Sequence, residues 1–285
     1  MDGHCQRDLN RFKLICPVCG SPLISGEKTV SCGNAHSFDL SRKGAVNLLR
    51  SSGKGKHHGD DKTMVRARTM FLSKGYYDPL SEAVDEMLLP FLKDGSPVID
   101  AGCGEGKYTE DLLLYARDYG KELSLLGVDI SKEAVSALRG RTRDISAIVA
   151  STSAIPIKAG SADALMCIFS PLFPKEFSRV LRPDGVFLHV VPLENHLIEL
   201  KEKIYEHPYL NPPPDSCIDG FELIAQKDLS YSVHLRSRED VAALFQMTPY
   251  NYKTGRDDQS KLRSLEELDV TLAFGLFLYQ KESRR

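Results

Sequence analysis

Four metal-ligand side chains stand close together near the start of the chain. Cys16-Pro17-Val18-Cys19 is followed by Cys32-Gly33-Asn34-Ala35-His36, a Cys-x2-Cys-x12-Cys-x3-His array. A two-residue gap lets both thiolates of one turn reach a single ion. The longer spacer is enough for a short hairpin that returns the chain to the second pair. Three thiolates and an imidazole form a tetrahedral donor set suited to Zn²⁺, with no coordination position left open, so the predicted metal is structural. A segment of about 35 residues buries too little surface to fold unaided, and the metal supplies what is missing. Gly20, Ser25-Gly26 and Gly33-Asn34 fall where the turns of such a hairpin belong. Cys5 and His4 lack partners at useful spacing and are left out of the predicted site.

The rest of the 285 residues must therefore fold by another route. Hydrophobic residues make up 42% and charged residues 27%, enough apolar material for a true core. No apolar run approaches the ~18 residues of a membrane span. The first eight residues do not resemble a secretion signal, so a cytoplasmic location is expected, where cysteines serve as thiols or metal ligands. The net charge of −2 conceals an asymmetry: residues 1–75 carry +7 and the remainder −9. A basic front on an acidic body points to a polyanionic partner for the front. Residues 1–50 are read as the zinc-binding front. Residues 51–63 are read as a polar linker, in which Lys54, Lys56, His57 and His58 are placed to meet a phosphate backbone. Residues 64–285 are read as the body.

The body opens with two helical patterns, one after Asp60 and one over about Leu80–Leu92, broken at Gly75-Tyr76-Tyr77-Asp78-Pro79. The rhythm then changes. Pro97-Val98-Ile99-Asp100 is a short apolar strand ending on an acid. Ala101-Gly102-Cys103-Gly104-Glu105-Gly106 follows, and a helix begins near Lys107. Glycines in such a turn let backbone approach a ligand beside a helix N-terminus. The form is Asp-x-Gly-x-Gly-x-Gly, not the Gly-x-Gly-x-x-Gly of dinucleotide binders. The next strand, Leu123–Asp129, again ends on an acid, placed to accept both hydroxyls of a ribose. Helices and strands then alternate: a helix at Lys132–Arg141, strands at Ala147–Ala150 and Ala164–Ile168, a helix at Pro174–Val180. A turn at Arg182–Gly185 leads to a strand at Val186–Val191 and a helix over Leu193–Glu206. Strands at Tyr231–Leu235 and Val270–Tyr279 flank a helix at Arg238–Met247. The predicted fold is α/β: a doubly wound, Rossmann-like, mostly parallel sheet with one antiparallel strand, plus the small N-terminal zinc domain.

Asp100-Ala101-Gly102-Cys103-Gly104-Glu105-Gly106 together with Asp129 resembles the class I S-adenosylmethionine (AdoMet)-dependent methyltransferases, as does Leu181-Arg182-Pro183-Asp184-Gly185. The front narrows the resemblance. Cys16-Pro17-Val18-Cys19, Cys32, His36-Ser37-Phe38-Asp39 and Gly44-Ala45-Val46-Asn47-Leu48-Leu49 are similar to the RlmA-type 23S rRNA guanine-N1 methyltransferases. So are Ala67-Arg68-Thr69-Met70-Phe71-Leu72, the segment from Pro192 through His196-Leu197 to Glu199-Leu200, and Leu244-Phe245-Gln246-Met247-Thr248-Pro249. The similarity covers nearly the whole chain.

That resemblance implies methyl transfer from AdoMet to N1 of a guanine in a hairpin loop of 23S rRNA. It implies zinc on Cys16, Cys19, Cys32 and His36, and a cofactor lined by Tyr77, Asp100, Gly102, Gly104, Glu105, Gly106, Asp129 and His196. It also suggests a homodimer. Read for themselves, Tyr77 is sooner a packed aromatic at a helix break, His196 sooner a helix N-terminal histidine without a ligand, and Glu105 could also be a solvated helix N-terminal acid. Many members of the wider class carry an acid after the third strand. Here the stretch is Ala150-Ser151-Thr152-Ser153-Ala154, so the adenine contact is unassigned. Phe169-Ser170-Pro171-Leu172, at the end of the fourth strand, is the expected place for substrate, and Phe169, Phe173 and the region of Tyr205 are candidates to stack on a flipped base. It lacks the Asn/Asp-Pro-Pro-aromatic form of exocyclic amine methylation, and neither Cys103 nor Cys167 sits in a cytosine-C5 motif. No proton acceptor for guanine N1 is assigned. Two alternatives stay open: a small-molecule AdoMet methyltransferase, and a zinc RNA-binding protein without catalysis.

Overall fold

The computed structural model describes residues 12–49, 59–255, 261–262 and 265–282. Cys5, His4 and the linker residues Lys54, Lys56, His57 and His58 lie outside the described residues. Three short strands, β1 (Leu23–Ser25), β2 (Thr29–Cys32) and β3 (Ser37–Asp39), form an antiparallel hairpin sheet around the cysteine array. The body is one eight-stranded sheet in the order β10-β11-β9-β8-β5-β6-β7-β4. Its strands are β4 (Val46–Asn47), β5 (Pro97–Ala101), β6 (Ser124–Asp129), β7 (Ser146–Val149), β8 (Ala162–Ile168), β9 (Leu181–Pro192), β10 (Phe221–Leu235) and β11 (Leu268–Lys281). β11 is antiparallel to both its neighbours, and every other pair is parallel. This is the α/β sheet with one antiparallel strand expected from the alternation of elements.

The helices follow the apolar periodicities. α1 (Lys62–Leu72) starts where Asp61 Oδ1 accepts the Met64 N–H at 2.9 Å, an N-cap. α2 (Asp78–Leu88) follows the break at Gly75. α3 (Lys107–Asp118), α4 (Lys132–Arg141), α5 (Pro174–Val180), α6 (Ile198–Ile204), α7 (Arg238–Gln246) and α8 (Tyr250–Lys253) complete the set described. Along β5, Val98 buries into the core on one face of the sheet and Ile99 into the core on the other, the period-two signature of a doubly covered strand.

Several segments differ from the sequence expectation. α6 is shorter than Leu193–Glu206, because the Leu193 and Leu197 N–H groups donate to Ala273 and Thr271 on β11 (2.9 and 2.8 Å) and Leu197 is left-handed at φ +57°. β9 begins at Leu181, before the Arg182–Gly185 turn. That turn survives as a bulge, since β8–β9 pairing jumps from Ala162↔Leu181 to Ala164↔Val186. β10 spans fifteen residues, and its Glu222–Asp228 stretch, Leu223 and Ile224 included, is exposed on the sheet edge.

The front is built into this body. Val46 and Asn47 pair in parallel with Ile148 and Val149, which makes the front's last strand an edge of the main sheet. Ile15 N–H donates to Pro156 O (2.9 Å), and Lys158 N–H to Lys13 O (3.1 Å). Phe12, Leu14, Val30 and Val46 are buried in the same cluster as Ile99, Leu126 and Ile148. The helices α1–α4, α6 and α7 contribute their buried apolar residues to the other face, so the zinc front serves, with α5, as the second covering layer.

Candidate metal centre and cofactor cavity

Donor atoms of Cys16, Cys19, Cys32 and His36 all lie within 4.8 Å of one another. Cys19 Sγ is 3.7 Å from Cys32 Sγ, and Cys32 Sγ is 3.4 Å from His36 Nδ1. Ligands about 2.3 Å from a tetrahedral centre stand slightly under 4 Å apart, so the donor set fits zinc. Backbone bonds hold the two ligand turns: Gly20 N–H to Cys16 O at 2.8 Å, and Cys32 N–H to His36 O at 3.0 Å. Hydrogen bonds from Ser21 and Asn34 bring the Cys19 thiol down to about 5, which favours the thiolate that a metal needs.

At the carboxyl ends of β5, β6, β8 and β9 lies a cavity of about 740 Å³, the position where open α/β sheets bind ligands. The glycine turn forms its floor. The Gly102 and Cys103 N–H groups donate to Val128 O (2.8 and 3.1 Å), tying the turn to β6. Gly102 has φ +91°, and a Cβ there would stand 2.1 Å from Ser170 Oγ, so no other residue fits. A Cβ on Gly104 would point toward the cavity, with Arg68 Nη1 its closest neighbour at 3.4 Å. Gly104 N–H donates to Asp129 Oδ2 (3.0 Å), and Ser131 N–H to Asp129 Oδ1 (2.8 Å). Asp100 is buried beneath the turn and accepts from Thr109 Oγ1 at 2.5 Å. Burial pushes its carboxyl up to about 7, against the pull of that hydrogen bond.

Seven of the eight expected cofactor residues line this cavity: Tyr77, Asp100, Gly102, Gly104, Glu105, Asp129 and His196. Gly106 lies off its wall. A Cβ there would meet Leu138 Cγ at 2.6 Å, so its smallness serves the packing of the turn on α4. The Glu105 carboxylate is buried and engaged by Arg141, and it accepts from the Lys107 N–H at 3.1 Å. It is therefore held by protein groups. Tyr77 packs on Phe71 and Phe274, with ring centres 5.7 and 5.2 Å away. His196 Nδ1 accepts the Ala273 N–H at 3.2 Å, and burial, helped by the Lys201 charge, lowers its pKa to about 3. The ring is neutral, with its proton on Nε2. The cavity fits AdoMet on its own residues: an open glycine turn, two acids at adjacent strand tips, and aromatic walls.

Sequence reading missed several wall residues. Arg68 and Met247 belong to two separate motifs given no role, yet Arg68 Nη2 donates to Met247 O at 3.1 Å, so the two motifs meet. Phe169 is left-handed at φ +55° and 44% exposed. Its ring lies 6.4 Å from Tyr108 and 5.5 Å from Phe274. A strained backbone that holds an aromatic in an open cavity is a mark of a functional position. Phe173 also lines the cavity; Tyr205 itself does not, but Tyr209, whose ring centre lies 5.7 Å from it, does. Burial raises the thiols of Cys103 and Cys167, the latter to about 12. Neither supplies a thiolate nucleophile near neutral pH.

Residues 14–55 match the family model "RlmA, N-terminal", and residues 98–185 match "Methyltransferase domain". The 23S rRNA (guanine(748)-N(1))-methyltransferase of Streptomyces fradiae is 30% identical over 273 residues, 92% of this chain and 95% of its own. A Micromonospora griseorubida protein named for the 23S rRNA guanine-N(1) reaction is 33% identical, over 94% of this chain and 97% of its own. The Bacillus subtilis protein YxjB, named for the same reaction, is 30% identical over 96% and 98%. The chain belongs to the RlmA family of 23S rRNA guanine-N1 methyltransferases. Membership accounts for both halves of the structure, the zinc ribbon at the front and the methyltransferase domain behind it. Among the described residues no helix is long and apolar enough to cross a membrane.

Proposed function

We propose that this chain transfers the methyl group of AdoMet to N1 of a guanine in a hairpin loop of 23S rRNA, working in the cytoplasm. One observation carries this reading: a zinc-ribbon front and a cavity fitted to AdoMet form a single packed body, and relatives named for that reaction align with it almost end to end. Bound in the cavity, AdoMet supplies an activated methyl on its sulfonium, so the protein's task is orientation and electrostatics. Asp129 would hold the ribose hydroxyls. The glycine turn lets the backbone approach closely, and Tyr77 and His196 close the wall. Phe169, at the open end of β8, offers a face on which an extruded base can stack. Exposed Lys13, Lys28 and Arg42 on the front give it cationic contacts for RNA phosphates. A small-molecule substrate would leave that front without a task. A homodimer completes the proposal, to be read by sedimentation.

The test is mass spectrometry of 23S rRNA from cells lacking the gene, with and without this chain restored. The expected result is a single N1-methylguanine that appears only on restoration. Unmodified rRNA in both would overturn the reading. RNA affinity should also fall steeply with salt, and an affinity flat across ionic strength would count against phosphate gripping.

A further inference from the structure

The glycine turn and the two strand-tip acids take up the β5–β6 side of the cavity. The wall toward β9 is built differently. Phe169 N–H donates to Val190 O at 3.1 Å, near the end of β9. Just past that end, Leu193 O accepts from Asn211 Nδ2 at 2.8 Å, and Glu194 O accepts from Asn211 N–H at 3.0 Å. Phe169 and Asn211 both line the cavity. An aromatic platform and a carboxamide therefore hang from one stretch of chain.

The carboxamide has a single orientation. Lys201 on α6 donates from Nζ to Asn211 Oδ1 at 2.8 Å and to Tyr209 O at 3.0 Å. An ammonium only donates, so the amide oxygen must face it and the amide nitrogen must face away. Lys201 is fully buried, with Nζ 4.8 and 5.6 Å from the ring centres of Tyr209 and Tyr250. Among the described residues no carboxylate pairs with it, and burial pulls its pKa down. Such a cation adds little to stability; what it does here is hold the 209–211 segment and fix the amide. Asn211 Nδ2 carries two hydrogens. One goes to Leu193 O, and the other has no acceptor among the described residues.

We infer that this second hydrogen binds O6 of the target guanine, which makes Asn211 a specificity residue of the methyl-acceptor site and Lys201 its positioning residue. The inference rests on the guanine reading above. O6 is next to N1, so a donor on O6 fixes the edge of the base that receives the methyl group. Adenine carries an amine in place of O6. A free asparagine can meet that amine with its oxygen, but the Asn211 oxygen is already held by Lys201, so the wall presents a donor only.

The test is methylation of two 23S rRNA hairpins that differ at one atom. One carries the target guanine, mapped by the mass spectrometry above, and the other carries 6-thioguanine there, which keeps N1 and its hydrogen but offers a weaker acceptor. Asn211→Ala should lower kcat/KM about tenfold on guanine and no more than about twofold on 6-thioguanine, as expected when a site loses a donor to one substrate atom. Lys201→Met should narrow the same difference, and Lys201→Arg, which keeps donors for Asn211 Oδ1 and Tyr209 O, should restore part of it. A purely structural lysine would lower both substrates alike. Zinc content, AdoMet affinity and thermal unfolding check that each variant is folded. Asn211 lies outside any helix or strand, so Asn211→Ala decides the point even where Lys201→Met does not fold. Equal loss on the two hairpins in Asn211→Ala, no loss on either, or a difference that disappears only in His196→Ala, which removes another N–H of that wall, would overturn the assignment. If the wild-type chain methylates neither hairpin, it is the guanine reading that fails instead.

Discussion

The backbone N–H of Gly104 donates to the side chain of Asp129 across 3.0 Å, which locks the glycine turn after β5 to the tip of β6. One carboxylate oxygen therefore shapes the floor of the cavity while the group as a whole faces the cavity. Asp129→Ala removes both functions. Hydrogen bonds to a charged group contribute about 1.5–3 kcal/mol each, so AdoMet affinity should fall about tenfold or more in a calorimetric titration, with zinc content unchanged. An affinity within twofold of wild type would show that the ribose is held elsewhere.

Gly102 gives a sharper test of the same floor. Gly102→Ala places a methyl 2.1 Å from Ser170 Oγ at a φ that L residues avoid. The turn must shift, and AdoMet binding should be lost while the metal centre remains intact. An alanine variant that binds AdoMet normally would refute the close approach.

Removing the metal should separate the two halves of the function. Cys32→Ser, or chelation, takes away the staple of the hairpin. RNA affinity should drop at least tenfold in a filter-binding assay, and AdoMet affinity should stay within about threefold, because none of the four metal ligands lines the cavity. Thermal unfolding should move down by several degrees, since Val30, Cys16 and Cys32 are buried in a cluster shared with the main sheet.

Phe169 is predicted to act on RNA alone. Stacking of a base on an aromatic ring contributes about 1–3 kcal/mol. Phe169→Ala should therefore lower kcat/KM for RNA by roughly ten- to a hundredfold with AdoMet affinity unchanged. Equal loss in both measurements would reassign the ring to cofactor packing.

Asp85 links the fold to pH. It is buried on α2, its Oδ1 has no hydrogen-bond partner, and burial raises its pKa to about 8. Below about pH 4 the group is protonated in both the folded and unfolded chain. Between about 4 and 8 the unfolded chain releases the proton and the folded chain keeps it, so this group lowers stability as pH rises. Asp85→Asn, neutral throughout, should stabilise by on the order of 2 kcal/mol at pH 8 and by much less at pH 4.5. A gain that is the same at both pH values would rule out the buried proton.

The sequence made the chemistry visible wherever chemistry dictates spacing. The metal ligands are fixed by ion geometry, and Gly102 and Gly104 by close backbone approach; the structure gathers the four ligands into one cluster and sets both glycines and the two strand-tip acids on one cavity. Elements held by distant partners could not be read. Val46-Asn47 is too short to show a period, and only its pairing with β7 makes it a strand. Glu222–Asp228 of β10 is exposed at every position, so no alternation marks it, whereas the alternating stretch up to Leu235 could be read. Arg68 looks like any cation on an amphipathic helix. Its meaning comes from Met247, 179 residues away, and from a glycine turn that folding brings beneath it. Gly106 shows the converse, a motif residue whose place in the pattern reflects packing on Leu138.

The pairing of Val46 and Asn47 with Ile148 and Val149 makes the front a bracket bolted to the frame. On the proposed reading, the distance from grip to delivery point becomes a constant of the molecule. The protein would then act as a calliper, accepting stem-loops whose helical rise spans that gap and passing over those one turn too long or too short.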